Sequence, residues 1–386
     1  ADPMKLMALV LNENDDLFAS FENAWRGHAP TPAHPWDLVV GCDEAWSGNI
    51  LHASGRKAMV LNFSFKQLSR VAMTQSAAWF TPMIVRHAAY KRLPGQWSQV
   101  LAVFVRRLFL STCRLRTECA AMEVRGKHFL LYARWSLLVC DGDGWRQSIE
   151  AKGAAGIRCC PLCTNVVSKP DLVPHGDNLV TCAQSDLSKC DLHTSTSMLA
   201  LIEDLYAAEA AYQAGRMTKC ERDMRCTAAG FVPTLYGIWS DPTVARCINP
   251  TETLCMDWVH ICLQDGVFSV ELEKFMNSSD DAGVDSLETF LGLGWRFAGR
   301  VHVTTPPRFI TTLRTAFAAG SLGGHVRPTA TEQLQVVSLL RLWASGHAES
   351  LAKRPFDAVC ALVHGIQRAK YAAARGGDLP PLAKEL

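Results

Sequence analysis

The sequence predicts an α/β fold in which a mixed sheet carries acids at its strand tips and helical segments follow. Three observations predict it. Two apolar runs of strand length, residues 36–43 (WDLVVGCD) and 128–141, each end on an acid. Residues 57–65 (KAMVLNFSF) alternate as a strand after turn chemistry at Ser47-Gly48-Asn49 and Ser54-Gly55, which suggests an antiparallel partner for the first run. The second half of the chain has apolar positions at helical spacing.

The elements follow in order. Residues 4–35 hold an apolar stretch, an acidic stretch and then Pro30, Pro32 and Pro35. They read as a leading segment or short helix with a Pro-rich connector. Residues 66–118 read mostly helical, with 96–109 the clearest helix. Residues 121–124 and 128–140 flank the turn Arg125-Gly126-Lys127 and read as a further hairpin. Residues 145–152 read as a helix stopped by Gly153. Residues 157–195 read as a loop rich in Cys and His, 196–215 as an amphipathic helix, 216–255 as irregular and 256–276 as helical. Thr329 and Glu332 fit a capping box before the helix 333–343, and a last helix covers 356–375. Four regions result: 1–35 leading segment, 36–156 sheet-bearing core, 157–255 Cys/His-rich helical insertion, and 256–386 helical C-terminal region.

Composition narrows the function classes. Hydrophobic residues are 48% and charged residues 20% of the 386, which excludes a disordered chain. No apolar run approaches the ~18–20 residues of a membrane helix, so no membrane partner is expected. A net charge of +2 neither demands nor excludes nucleic acid, because a basic face can hide in a balanced total. Arg106, Arg107, Arg125, Lys127, Arg146 and Lys152 are the basic residues available for phosphate. Fifteen cysteines, odd in number and scattered, read as reduced thiols plus one metal site. No P-loop, dinucleotide fingerprint, GxSxG or HExxH occurs.

The candidate chemistry lies in acids and thiols. If the strands ending at Asp43 and Asp141 are neighbours, their carboxylates converge. Two carboxylates sharing a site repel unless a cation neutralises them, and Mg²⁺ or Mn²⁺ suits such oxygen donors. Glu44 and Asp143 compete for the same roles. Cys160 and Cys163 form a CxxC that can grip half of a tetrahedral Zn²⁺; Cys182, Cys190 and His193 are the local candidates to complete it. Asp257 opens a helix beside His260 and is either a cap or a further metal ligand. Glu271 and Glu273 read as surface charges; His302, His325, His347 and His364 read as isolated.

Taken together, Asp43, the stretch LLVCDGDGWRQSIEAKGAAGIRCCPLC that contains Asp141, and MDWVHICLQDGVF resemble a DDE-type transposase. The similar lineage includes the CACTA, Mirage and Chapaev elements and, in layout, the recombination-activating recombinase of vertebrate immunity. The resemblance covers residues 36–276. It implies an RNase H-like mixed sheet with the first Asp on the first strand, the second on a later strand, and a zinc half-site after it. It further implies DNA nucleotidyl transfer with Mg²⁺ or Mn²⁺, a structural Zn²⁺, double-stranded DNA as partner, a homodimer as one assembly, and a nuclear location. The His pair and the catalytic Glu that such transposases carry well after the CxxC are not found beyond residue 276. The sequence therefore reads either as a truncated or domesticated copy or as one whose third acid is not recognisable, with Asp257 ranked first as third acid ahead of Glu271 and Glu273. Were that acid missing, the chain would bind DNA without nicking it; a binding protein of transposon origin is the alternative.

Overall fold

Apolar side chains at every second position make a strand of Trp36–Trp46 (β1): Trp36, Leu38, Val40 and Cys42 are buried on one face. The ladder continues past the apolar run. Asp43, Glu44 and Ala45 stay paired with the second strand, so Asp43 lies inside β1 and not at its tip. The structure, a computed structural model, describes residues 2–46, 57–73, 75–111, 113–168, 178–181, 187–256, 263, 267–278, 284–293, 296–297, 301–302, 309–311, 314, 330–347 and 351–374. They belong to two units, Ala1–Met256 and Asp257–Leu386.

In the first unit β1 pairs antiparallel with Lys57–Phe65 (β2), and β2 with Phe80–Arg86 (β3). On its other side β1 pairs parallel with Ala133–Cys140 (β6), and β6 pairs parallel with Leu254–Met256 (β9). The sheet is mixed, in the order β3-β2-β1-β6-β9. The strand expected over 128–140 is two strands. Lys127–Leu131 (β5) forms a separate hairpin with Ala120–Val124 (β4), and the chain breaks at Tyr132 before joining the main sheet. β3 falls where the sequence reads helical; Pro82 sits on this edge strand, the place in a sheet that tolerates proline.

Helices cover one face of the sheet. Gln96–Arg106 (α3) buries Trp97, Leu101 and Phe104, and Phe104 meets Phe63 at 6.0 Å. Gly142–Ile149 (α4) packs beside it. The leading segment is part of this core and not a mere approach to it. Pro3–Glu13 (α1) and Asp15–Gly27 (α2) bury Met7, Leu11, Leu17 and Phe21, and Phe21 meets Phe129 at 5.1 Å and Trp36 at 5.4 Å. The polar residues between them are a cap: Asn14 Oδ1 accepts from Leu17 N at 2.8 Å.

After α4 come the Cys-rich loop, with the two-residue strands Val166–Val167 (β7) and Val180–Thr181 (β8), and then Ser195–Gln213 (α5) and Lys219–Ala229 (α6). The segment 216–255 is thus more ordered than its sequence suggests, since it holds α6 and β9. Gly230 ends α6 at φ 81, and a Cβ there would lie 2.2 Å from the Arg158 carbonyl oxygen. Gly230→Ala combines left-handed strain with a backbone clash. It is expected to cost about 2–3 kcal/mol, within the range of disruptive substitutions, read as a lower urea midpoint at unchanged slope.

In the second unit Val267–Asn277 (α7) packs on Lys353–Ala374 (α9), and Ala330–Ser345 (α8) packs on α9. Phe275 stacks on Phe356 at 5.3 Å and meets Trp343 at 5.5 Å. Met256, read as the start of a helix, is the last residue of β9. Thr329 of the expected capping box lies outside the described residues. No described helix is long and apolar enough to cross a membrane.

Candidate functional site

β1 and β6 are the neighbours that a shared acid site requires. Their parallel register pairs Val40 with Leu138 and Cys42 with Cys140. Asp43 and Asp141 are the next residue on each chain. Adjacent strands run ~4.8 Å apart, so the two backbones meet here. β9 continues the row: Cys140 pairs with Met256. Asp257 follows Met256 in sequence and lies, with His260, outside the described residues.

The two acids have different settings. Cys42 faces the core beside Trp97 and Ser148, and burial pushes its thiol up to about 12. Asp43, next along the strand, faces the opposite side and is exposed; one of its oxygens accepts from Glu44 N at 2.7 Å. Asp141 is the N-cap of α4 and accepts from Gly144 N at 2.5 Å. Its second oxygen makes no hydrogen bond among the described residues. Gly144 packs closely here: a Cβ would lie 3.0 Å from both Asp141 Oδ1 and Cys140 Cβ. The competing acids are committed elsewhere, Glu44 to Lys57 and Asp143 to Arg146. Carboxylate oxygens, one on β1 and exposed and one half-buried just past the end of β6, are the type of donor that Mg²⁺ or Mn²⁺ takes.

α4 begins earlier than its sequence suggests and stops earlier too. Glu150, not Gly153, ends it in the left-handed region at φ 65. The Glu150 side chain is buried and takes Ser98 Oγ and Tyr206 OH at 2.8 Å and Thr234 N at 3.0 Å. Burial holds its carboxyl above the ordinary value. Tryptophan adds to the clamp: Trp239 Nε1 donates to Ile149 O at 2.8 Å. Sequence reasoning missed Glu150 because its partners come from α3, α5 and the segment after α6.

The thiols form a second centre. Cys160 Sγ and Cys163 Sγ are 3.3 Å apart, near the ~3.7 Å of two sulfurs on one tetrahedral zinc. The chain returns beside them: His193 N donates to Leu162 O at 2.9 Å, and Cys163 bridges Leu192. Asn165, also missed, fixes this return. Its amide donates to the carbonyls of Asn178 and Lys189 at 2.8 Å and accepts from Asp191 N at 2.8 Å. Burial, then the neighbouring Cys160, Cys190 and Cys159, push the Cys163 thiol up to about 12. Burial and the Arg158 charge hold His193 below its ordinary value, so its imidazole is neutral near pH 7. Sulfur and neutral imidazole suit zinc. Among the described residues no three Cys, His, Asp or Glu side chains converge as a metal-holding group, so Cys160 and Cys163 stand as a pair. Cys182 lies outside the described residues.

Most of the basic residues offered for phosphate have partners within the chain. Arg106 pairs with Asp241 at 2.7 Å and Arg125 with Asp15 at 2.5 Å, Lys127 pairs with Glu22 and Arg146 with Asp143, and Lys152 donates to Thr227 Oγ1 at 2.6 Å. Arg107 is exposed. No family model matches the chain, and no curated protein is significantly similar to it.

Proposed function

We propose that the chain is a transposase-like DNA nucleotidyltransferase with an RNase H-like core, its acid site built on Asp43 and Asp141 and completed by Asp257. The observation that carries this reading is the register of β1, β6 and β9. Cys42, Cys140 and Met256 stand in one row across three parallel strands, and an Asp follows each in sequence. An ordinary solvated turn needs no such alignment. The sheet order supports the same reading, with an antiparallel hairpin on one side of β1 and parallel strands on the other.

In this reading the protein's part is positional. The Gly144 N–H holds one oxygen of Asp141, and the other, with no hydrogen bond among the described residues, would take the cation. β1 holds Asp43 rigidly because the ladder continues on both sides of it. Divalent cations bound there would supply stabilisation of the attacking and leaving oxygens of a phosphodiester. Cys160 and Cys163 would hold a structural zinc, with Cys182, Cys190 or His193 completing the set. Double-stranded DNA is the proposed partner, with a homodimer as the assembly and the nucleus as the place where such a partner is met.

Nicking of supercoiled plasmid in Mg²⁺ or Mn²⁺ tests the reading. Metal-dependent nicking supports it, and its absence in the intact chain favours the non-catalytic, zinc-stabilised binding protein. The zinc has its own test. Protein purified without chelators is expected to carry one zinc per chain by elemental analysis, and Cys160→Ser and Cys163→Ser to carry none. A metal-free protein with both thiols freely titrating would remove zinc from the proposal.

A further inference from the structure

The sheet surface around Asp43 carries more than acids. Gly41 lies two residues before Asp43 and shares its face. A Cβ at Gly41 would lie 3.6 Å from Cζ3 of Trp79, so the indole lies against the strand where a larger side chain would stand. The ring is anchored, since Trp79 Nε1 donates to Met73 O at 3.0 Å, and it is half-buried, leaving part of its surface to solvent. Asn62, the partner of Gly41 on β2, is bonded to Thr81 at 2.6 Å alongside. Farther along the same flank Asp43 pairs with Val60, and Val60 with Ile84. Ile84 is 68% exposed, while its neighbours Met83 and Val85 pack on the core. Arg86, two residues on, is exposed and forms no ion pair among the described residues.

An acid, an anchored indole, an open aliphatic side chain and a cation with no ion pair among the described residues thus share one sheet surface. A phosphodiester strand suits the acid, the indole and the cation. Its phosphate suits Arg86 and any cation held at Asp43, and a base suits the indole face. Bases inside a duplex have both faces covered by their neighbours, so only an unstacked base can use Trp79. We propose that Trp79 and Arg86 form a nucleotide subsite beside Asp43. The indole stacks an unpaired base, and Arg86 takes a phosphate of the same strand. This rests on the DNA-acting reading and deepens it, because it names the substrate as DNA with an unpaired stretch at the reacting bond.

Fluorescence anisotropy without divalent metal tests it, using a labelled duplex that is either blunt or carries a short unpaired flank. The wild type is expected to bind the flanked DNA more tightly. Trp79→Leu keeps the bulk over Gly41 without a π-face. It should lose about tenfold on flanked DNA, in keeping with one stacked base, and be unchanged on blunt DNA. Trp79→Phe should keep the preference. Arg86→Gln should weaken both DNAs alike and lower the salt slope by about one. If Trp79→Leu loses cooperative unfolding, Trp79→Gln takes its place. Equal binding of flanked DNA by the wild type and the Leu or Gln variant overturns the subsite alone, as does a wild type without preference. A wild type that binds neither DNA overturns the DNA-acting reading and the subsite with it.

Discussion

Asp43→Asn and Asp141→Asn are each expected to abolish plasmid nicking, by about a thousandfold or more, without unfolding the protein. The size follows from the chemistry assigned to the site. Preorganised stabilisation of developing charge is often worth ~10²–10³ per group removed, and each tenfold is ~1.4 kcal/mol of barrier. An amide keeps the shape of the carboxylate but removes the charge that balances a divalent cation. The retained fold follows from the local structure. Asp43 is exposed, and its bond from Glu44 N can be taken by an amide oxygen. Asp141 caps α4, and Asn caps a helix about as well as Asp, whereas Asp141→Ala would also lose about 1 kcal/mol of cap. The Asn variants therefore separate chemistry from folding. Glu44→Gln should leave nicking in place, because Glu44 is paired with Lys57. A further loss in Asp257→Asn would identify the third acid. Nicking that persists in both Asn variants of Asp43 and Asp141 would remove these residues from the reaction.

The sheet was legible in the sequence where its periodicity was strong. The apolar runs before Asp43 and Asp141 are buried on one or both faces, and they sit side by side as a shared acid site needs. The exact end of β1 was not legible, because hydrophobicity stops at Cys42 while backbone pairing runs on to Trp46. β3 was hidden by Pro82, which a sheet accommodates on an edge strand such as this. The basic residues misled for a different reason. Whether Arg106 is available depends on Asp241, and whether Lys127 is depends on Glu22, and neither pairing is local. The thiol loop was visible as a spacing, but Asn165, which orders it through three backbone groups, carries no motif. The row formed by Cys42, Cys140 and Met256 could not be read from the chain, since register is a property of the assembled sheet.

Glu150→Ala is expected to destabilise the first unit by about 3–4 kcal/mol. Glu150 stands at the far end of the helix that Asp141 opens, in a left-handed conformation that a non-glycine residue adopts only when its surroundings hold it there. What holds it is its carboxylate. Ser98 on α3, Tyr206 on α5 and the Thr234 amide all converge on it, and Ser98 Oγ in turn accepts from Ile238 N at 2.8 Å. Removing the acceptor orphans buried donors at ~1–3 kcal/mol each and leaves a cavity. At ~2–4 °C per kcal/mol for a unit of this size, the thermal midpoint should fall by roughly 10 °C. Glu150→Gln should cost much less, because its amide oxygen still accepts from the Thr234 N–H. The pair also fixes the sign of a pH dependence. Burial, only partly offset by the Ser98, Tyr206 and Thr234 donors, raises the Glu150 pKa above the ordinary 4.5. The folded state then binds this proton more tightly than the unfolded chain does. The stability it contributes is full below that ordinary value, falls as pH rises through the raised folded value, and is level beyond it. Glu150→Gln cannot ionise and lacks the fall. Urea unfolding of both proteins across this range should show the wild-type advantage shrinking with rising pH, by no more than ~1.4 kcal/mol per unit. An advantage that grows with pH would mean that the converging donors outweigh burial and that Glu150 is held as the anion. The clamp on the Asp141 helix would then be an ionic one.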